Sequence, residues 1–164
     1  MLLNFAAFLL SALLSSSAAA ATYLASISAM HQEAWETVCI YKAVNCSELP
    51  APQVWYTPDA DGMFGYYTFG EEGIHVHLKL LGDPFSRYVV IHEMVHYIQL
   101  KQAQTGKTGV LYAHSCVRES EAFNITATAA YAERFLDPRL VTWARARGHY
   151  GCGPVKIGWH ADRY

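Results

Sequence analysis

"VVIHEMVHYIQ", residues 89–99, sets a glutamate between two histidines inside an otherwise uncharged stretch. On a helix, His92 and His96 stand four residues apart and project from one face about one turn from each other. Two imidazoles so placed can reach one tetrahedral ion at roughly 2.0 to 2.1 Å each. Glu93 lies one position round from His92, badly placed as a third ligand but close enough to contact a water on the metal. Metal-assisted hydrolysis needs this division of labour: the ion lowers the water's pKa to about 7, and a carboxylate takes its proton. The competing reading is a hydrogen-bonded core helix with no ion. Val89, Val90, Ile91, Met94, Val95, Tyr97 and Ile98 mark the helix as buried. Burying two histidines and a glutamate without partners costs several kcal/mol, and a metal supplies those partners.

Outward from this stretch, Asp83-Pro84 reads as an N-cap with proline in the first turn. The helix is then expected from Pro84 to about Thr105, stopped by Gly106 and Gly109. Upstream, residues 52–84 are rich in β-branched and aromatic side chains and broken by Pro-Asp, Asp-Gly and Glu-Gly. That pattern predicts three short antiparallel strands near 53–57, 63–69 and 73–80. Leu24, Ile27, Met30, Ala34, Val38 and Tyr41 recur at helical spacing and predict an amphipathic helix over roughly 23–44, ended by Pro50 and Pro52. Downstream, Ser115 is placed to cap a further helix, and Asp137-Pro138 opens a short last one. The fold class is therefore α+β.

The chain has 164 residues, enough for one domain with a real core. Its 52% hydrophobic and 13% aromatic content is that of a globular protein. A net charge of -2, with 12 Lys+Arg and no basic cluster, argues against nucleic acid as a partner. Residues 1–21 read as a secretory signal: an apolar run from Leu2 to Leu14, then small residues with a cut after Ala20 or Ala21. No Lys or Arg precedes the run, and a retained N-terminal anchor is the alternative. The domain proper is then 22–164, expected to be secreted or periplasmic, monomeric and free of the membrane once processed.

Export fits the 4 cysteines, none of which is spaced as C-x-x-C. Four cysteines allow three connectivities, and the pairing favoured here is Cys39 with Cys46 and Cys116 with Cys152. His75 and His77 alternate to one face of the third strand, but no partner cluster for a second metal accompanies them.

A third ligand must come from elsewhere, because no histidine follows His96 in the H-E-x-x-H-x-x-G-x-x-H arrangement. "CVRESEAFNITATAAYAERF", residues 116–135, offers Glu119 and Glu121 on an expected helix. This pairing of a motif helix with a glutamate-bearing helix resembles the gluzincin zinc metallopeptidases. Glu119-Ser120-Glu121-Ala122 looks like the E-x-E-A or E-x-x-A element of the CAAX-processing endopeptidase and phage-repressor-cleaving peptidase families. There the first glutamate binds zinc, and the alanine three residues on lets the two helices pack closely.

By that likeness Glu119 is the ligand, with Ala122, Thr126 and Ala130 keeping its face small, and Glu121 is the fallback. The unused glutamate would lie on a solvated face or hydrogen-bond a ligand histidine from outside. Those families usually carry Asp or Asn four residues after the ligand, where Phe123 stands here, and Asn124 is offset by one. The resemblance covers mainly residues 63–135. It implies a minimal zincin-like core in which an edge strand lies along the cleft to accept an extended peptide, a role that "GIHVHLKLLG", residues 73–82, is placed to fill.

The expected activity is peptide-bond hydrolysis on a peptide or protein substrate, with Zn²⁺ as cofactor and Glu93 as general base. Tyr112, His114, His149 and Tyr150 are candidates for stabilising the oxyanion. The alternatives are a secreted zinc-binding protein without turnover and a zinc hydrolase acting on bonds other than peptides.

Overall fold

The structure is a computed structural model and describes residues 2–58, 63–68, 71–105 and 115–148. Four helices and a small three-stranded sheet follow one another as α1 (Leu2–Lys42), β1 (Gln53–Thr57), β2 (Gly65–Tyr67), β3 (Gly73–His77), a 3-10 turn (Leu78–Leu80), α2 (Ser86–Gln104), α3 (Ser115–Ala132) and α4 (Pro138–Gly148). The α+β class holds. Among the described residues no helix is long and apolar enough to cross a membrane.

α1 is longer than the periodic segment 23–44. It begins at Leu2 and runs unbroken past Ala20 and Ala21, because no glycine or proline occurs before Pro50 and the Ala- and Leu-rich stretch propagates helix well. Its buried stripe is Ala34, Trp35, Val38 and Cys39, with Ile27 and Met30 partly covered. Leu24 and Tyr41, counted on that face by spacing, are exposed. The helix stops well before Pro50. Ala43 takes a left-handed φ of 51°, and the Val44 amide reaches back to the Cys39 carbonyl at 3.1 Å, closing the last turn as a Schellman cap. A Cys39–Cys46 disulfide ties the end of α1 to the loop beyond it. The companion pairing of Cys116 with Cys152 lies outside the described residues, since Cys152 does.

The sheet departs from expectation in its pairing. The strand order is β1-β3-β2, with β1 parallel to β3 and β2 antiparallel to it, so the sheet is mixed rather than antiparallel. β3 is the central strand and cannot offer the free edge that "GIHVHLKLLG" was expected to supply. The reason is that residues 58–64 separate the first two strands, too many for the two-residue turn that would force them into a hairpin. β3 also ends at His77, whose ring accepts the Lys79 amide at 3.1 Å and starts the 3-10 turn where a strand to residue 80 was expected.

α2 is the hub on which α1, α3 and the sheet all pack. Thirteen of its residues are buried, which accounts for a sequence that is apolar nearly all round. The expected cap acts one turn early: Asp83 Oδ1 accepts the Phe85 amide at 2.8 Å, and the Asp83 carbonyl accepts the Ser86 amide at 2.9 Å. α4 starts as read, with Asp137 Oδ1 accepting the Arg139 amide at 2.8 Å and Pro138 in the first turn.

Arg139 joins these two starts. Its guanidinium bonds Asp83 at 2.6 and 3.0 Å and Asp137 at 2.6 Å, and its hydrogen bonds hold both carboxyls below their ordinary range. A carboxyl with a depressed folded pKa stabilises the fold above its unfolded pKa and loses that contribution as pH falls through the folded value. Arg139 is 42% exposed, so the network belongs with surface ion pairs. Arg139→Ala is expected to cost about 1 kcal/mol at pH 7, and the gap from the parent should close below about pH 4. Denaturation midpoints measured across pH read this directly, and a gap that widens on acidification would contradict it.

Candidate metal centre

The α2 register puts His92 and His96 on the side that faces α3, and α3 brings Glu119 to them. The two Nε2 atoms lie 3.2 Å apart, and the Glu119 carboxylate stands 3.3 Å from His92 Nε2 and 3.4 Å from His96 Nε2. One donor atom from each residue falls within 4.8 Å of the other two, a grouping that could hold a metal ion. Glu119 Oε2 is buried, and its contact with His92 Nε2 at 3.3 Å falls short of hydrogen-bond geometry. A buried carboxylate oxygen and two imidazole nitrogens converging on one point fit a cation: three nitrogen and oxygen donors are brought together where none satisfies the others fully.

The electrostatics agree. Burial pushes the Glu119 carboxyl upward, yet the adjoining imidazoles outweigh it and hold the group well below the usual carboxylate range. Burial works against a charged His96, but Glu119, the charge of Glu93 and Gln99 raise its pKa on balance.

Of the two glutamates left open by sequence, Glu119 is the one brought to the histidines. Glu121 points elsewhere: its Oε2 accepts from Gln99 Nε2 at 2.7 Å and its Oε1 from Lys42 Nζ at 2.5 Å. Ala122, Thr126 and Ala130 are fully buried, which lets α3 lie close against α2. Thr126 spends its hydroxyl on the Ala122 carbonyl at 2.8 Å, so the small face carries no unsatisfied donor.

Phe123 packs on the His92 ring with centroids 4.3 Å apart. Trp143 from α4 covers the same ring at 4.6 Å. His92 is thus oriented by two aromatic side chains. Sequence reasoning missed Trp143 because no spacing rule links α4 to the motif. It missed Gln99 too, although a polar residue three positions after His96 in an apolar helix was a visible signal.

Glu93 is 4% exposed and lies beneath β2. Gly65 makes that approach possible. A Cβ there would sit 2.7 Å from Val89 Cγ1, 2.9 Å from the His75 carbonyl oxygen and 3.2 Å from Glu93 Cγ. Gly65→Ala must displace backbone as well as side chains, and a loss of about 1–3 kcal/mol in denaturant unfolding is expected. An unchanged midpoint would show that β2 does not press on α2.

His75 stacks on Tyr66 at 4.5 Å, meets the tilted ring of Trp55 at 4.9 Å and pairs with Glu71 at 2.8 Å. Among the described residues the His92, His96 and Glu119 group is the one cluster with metal-ligand geometry. Tyr112, His114, His149 and Tyr150 lie outside the described residues. No protein-family model matches the chain, and no curated protein or solved structure matches it either.

Proposed function

We propose that the chain is a zinc-dependent hydrolase, and within that class a metallopeptidase exported from the cytoplasm to act on peptides or proteins. The convergence of His92, His96 and Glu119 with Glu93 buried beside them is the observation that carries this reading. Three protein donors would hold the ion and leave a fourth position for water or substrate, the pattern of catalytic rather than structural zinc. When bound, zinc supplies Lewis acidity, acidifying water toward a pKa of about 7 and polarising a substrate carbonyl.

The chain's own residues do the rest. Glu93 accepts the proton that water gives up as its oxygen adds to the carbonyl carbon. It then delivers that proton to the amide nitrogen as the C–N bond breaks, so that an acid and an amine leave. The aromatic walls of Phe123 and Trp143 keep His92 fixed in orientation and dry on one side. β2 is an outer strand among the described residues and lies over Glu93. Its free edge suits backbone pairing with an extended substrate, the role first expected of residues 73–82.

The test is hydrolysis by the zinc-loaded protein of matched peptide and ester panels. Cleavage of peptides that stops with a chelator and returns with zinc supports the proposal. Cleavage of esters alone would make the chain a different zinc hydrolase, and bound zinc without turnover would make it a binding protein.

A further inference from the structure

Gln99 stands one turn after His96, and its amide is held from both ends. Nε2 donates to the Arg118 backbone carbonyl at 3.1 Å and to Glu121 Oε2 at 2.7 Å. Oε1 faces His96 Nδ1 at 2.9 Å. Glu121 is itself fixed by Lys42 Nζ at 2.5 Å, from a lysine side chain only 8% exposed. The Arg118 carbonyl and the Glu121 carboxylate can only accept, so the nitrogen of the amide belongs on their side. Turning the amide over would set its carbonyl oxygen against two acceptors, with no hydrogen to share between them. Oε1 therefore faces His96, and since that oxygen can only accept, Nδ1 carries the hydrogen.

We propose that Lys42, Glu121 and Gln99 form a positioning relay across α1, α3 and α2 that fixes His96 as its Nδ1–H tautomer and aims the Nε2 lone pair at His92 and Glu119. The relay gives α1 a part in the centre although α1 supplies no donor to it. It also gives Glu121 a task distinct from that of Glu119. In metal sites the ring nitrogen that binds is set by the hydrogen bond the other nitrogen makes. The inference deepens the metal reading and rests on it for its consequence, but the tautomer itself is observable without metal.

The experiment uses the full chain with ¹⁵N-labelled histidine. Long-range ¹H–¹⁵N spectra of the metal-free protein at alkaline pH, where every imidazole is neutral, should show His96 as Nδ1–H. Gln99→Ala should move it to Nε2–H, the form an unconstrained imidazole favours. Zinc affinity by chelator competition should fall about 10- to 100-fold in Gln99→Ala. The exchange Gln99→Glu/Glu121→Gln keeps an acceptor opposite Nδ1 and moves the donor to position 121, at the loss of the bond to the Arg118 carbonyl, and it should restore part of that affinity. Because the exchange preserves the packing, it separates positioning from a general loss of fold. A parent protein with His96 as Nε2–H overturns the relay whether or not zinc binds, as does an unchanged affinity in Gln99→Ala. A parent with Nδ1–H that takes up no zinc upholds the relay and overturns the metal reading instead.

Discussion

Glu93→Gln is expected to lower kcat by about 10²- to 10⁴-fold while the protein keeps its zinc and its fold, because general acid–base catalysis contributes on that scale. The substitution preserves volume and one acceptor oxygen at a position that is 4% exposed. Packing beneath Gly65 therefore survives, and the lost capacity is that of taking and returning a proton. Zinc should remain because the proposed donors, His92, His96 and Glu119, are untouched. Steady-state kinetics on a cleaved peptide, with metal content measured on the same preparation, check both halves. Full activity in Glu93→Gln would remove the residue from the chemistry.

Trp143→Ala is the second large effect, and it tests the aromatic walls. Trp143 is 7% exposed and packs its ring on Phe64, Phe85, His92 and Phe123 at centroid distances of 5.7, 5.9, 4.6 and 4.8 Å. Truncating so large a buried ring costs about 3–5 kcal/mol through lost transfer energy and the cavity left behind. That is a large share of the 5–15 kcal/mol that holds a typical domain together. Zinc affinity should fall as well, since the His92 ring loses one of its two faces. Trp143→Phe keeps a ring against His92 and should recover much of both. A loss of stability with affinity unchanged would show that Phe123 orients His92 unaided.

What the sequence discloses here follows from the range of the interactions involved. The motif helix was legible because 3.6-residue periodicity is local: His92, Glu93 and His96 have their relative directions fixed by the helix itself. The Asp137-Pro138 start and the Cys39–Cys46 bridge, closed across a sequence separation of 7, are local for the same reason. Strand pairing is not local. Alternation reveals that residues 73–77 form a strand but carries no information on which neighbours it takes, and β3 became central instead of an edge. The choice between Glu119 and Glu121 turned on how α3 is rotated against α2. The buried small side chains of Ala122, Thr126 and Ala130 and the claim of Lys42 on Glu121 set that rotation, and Lys42 lies 79 residues away in sequence. Trp143 became visible only once α4 was in place, and the partners of Gln99 only once α3 was.

Zinc content per chain, measured on the intact protein and on His96→Ala, Glu119→Ala and Glu121→Ala after equilibration with micromolar free zinc, tests the centre most directly. The geometry predicts one zinc per chain in the parent, one in Glu121→Ala with weakened affinity, and none retained in His96→Ala or Glu119→Ala. No zinc in the parent, or zinc lost with Glu121 and kept without Glu119, would contradict the account.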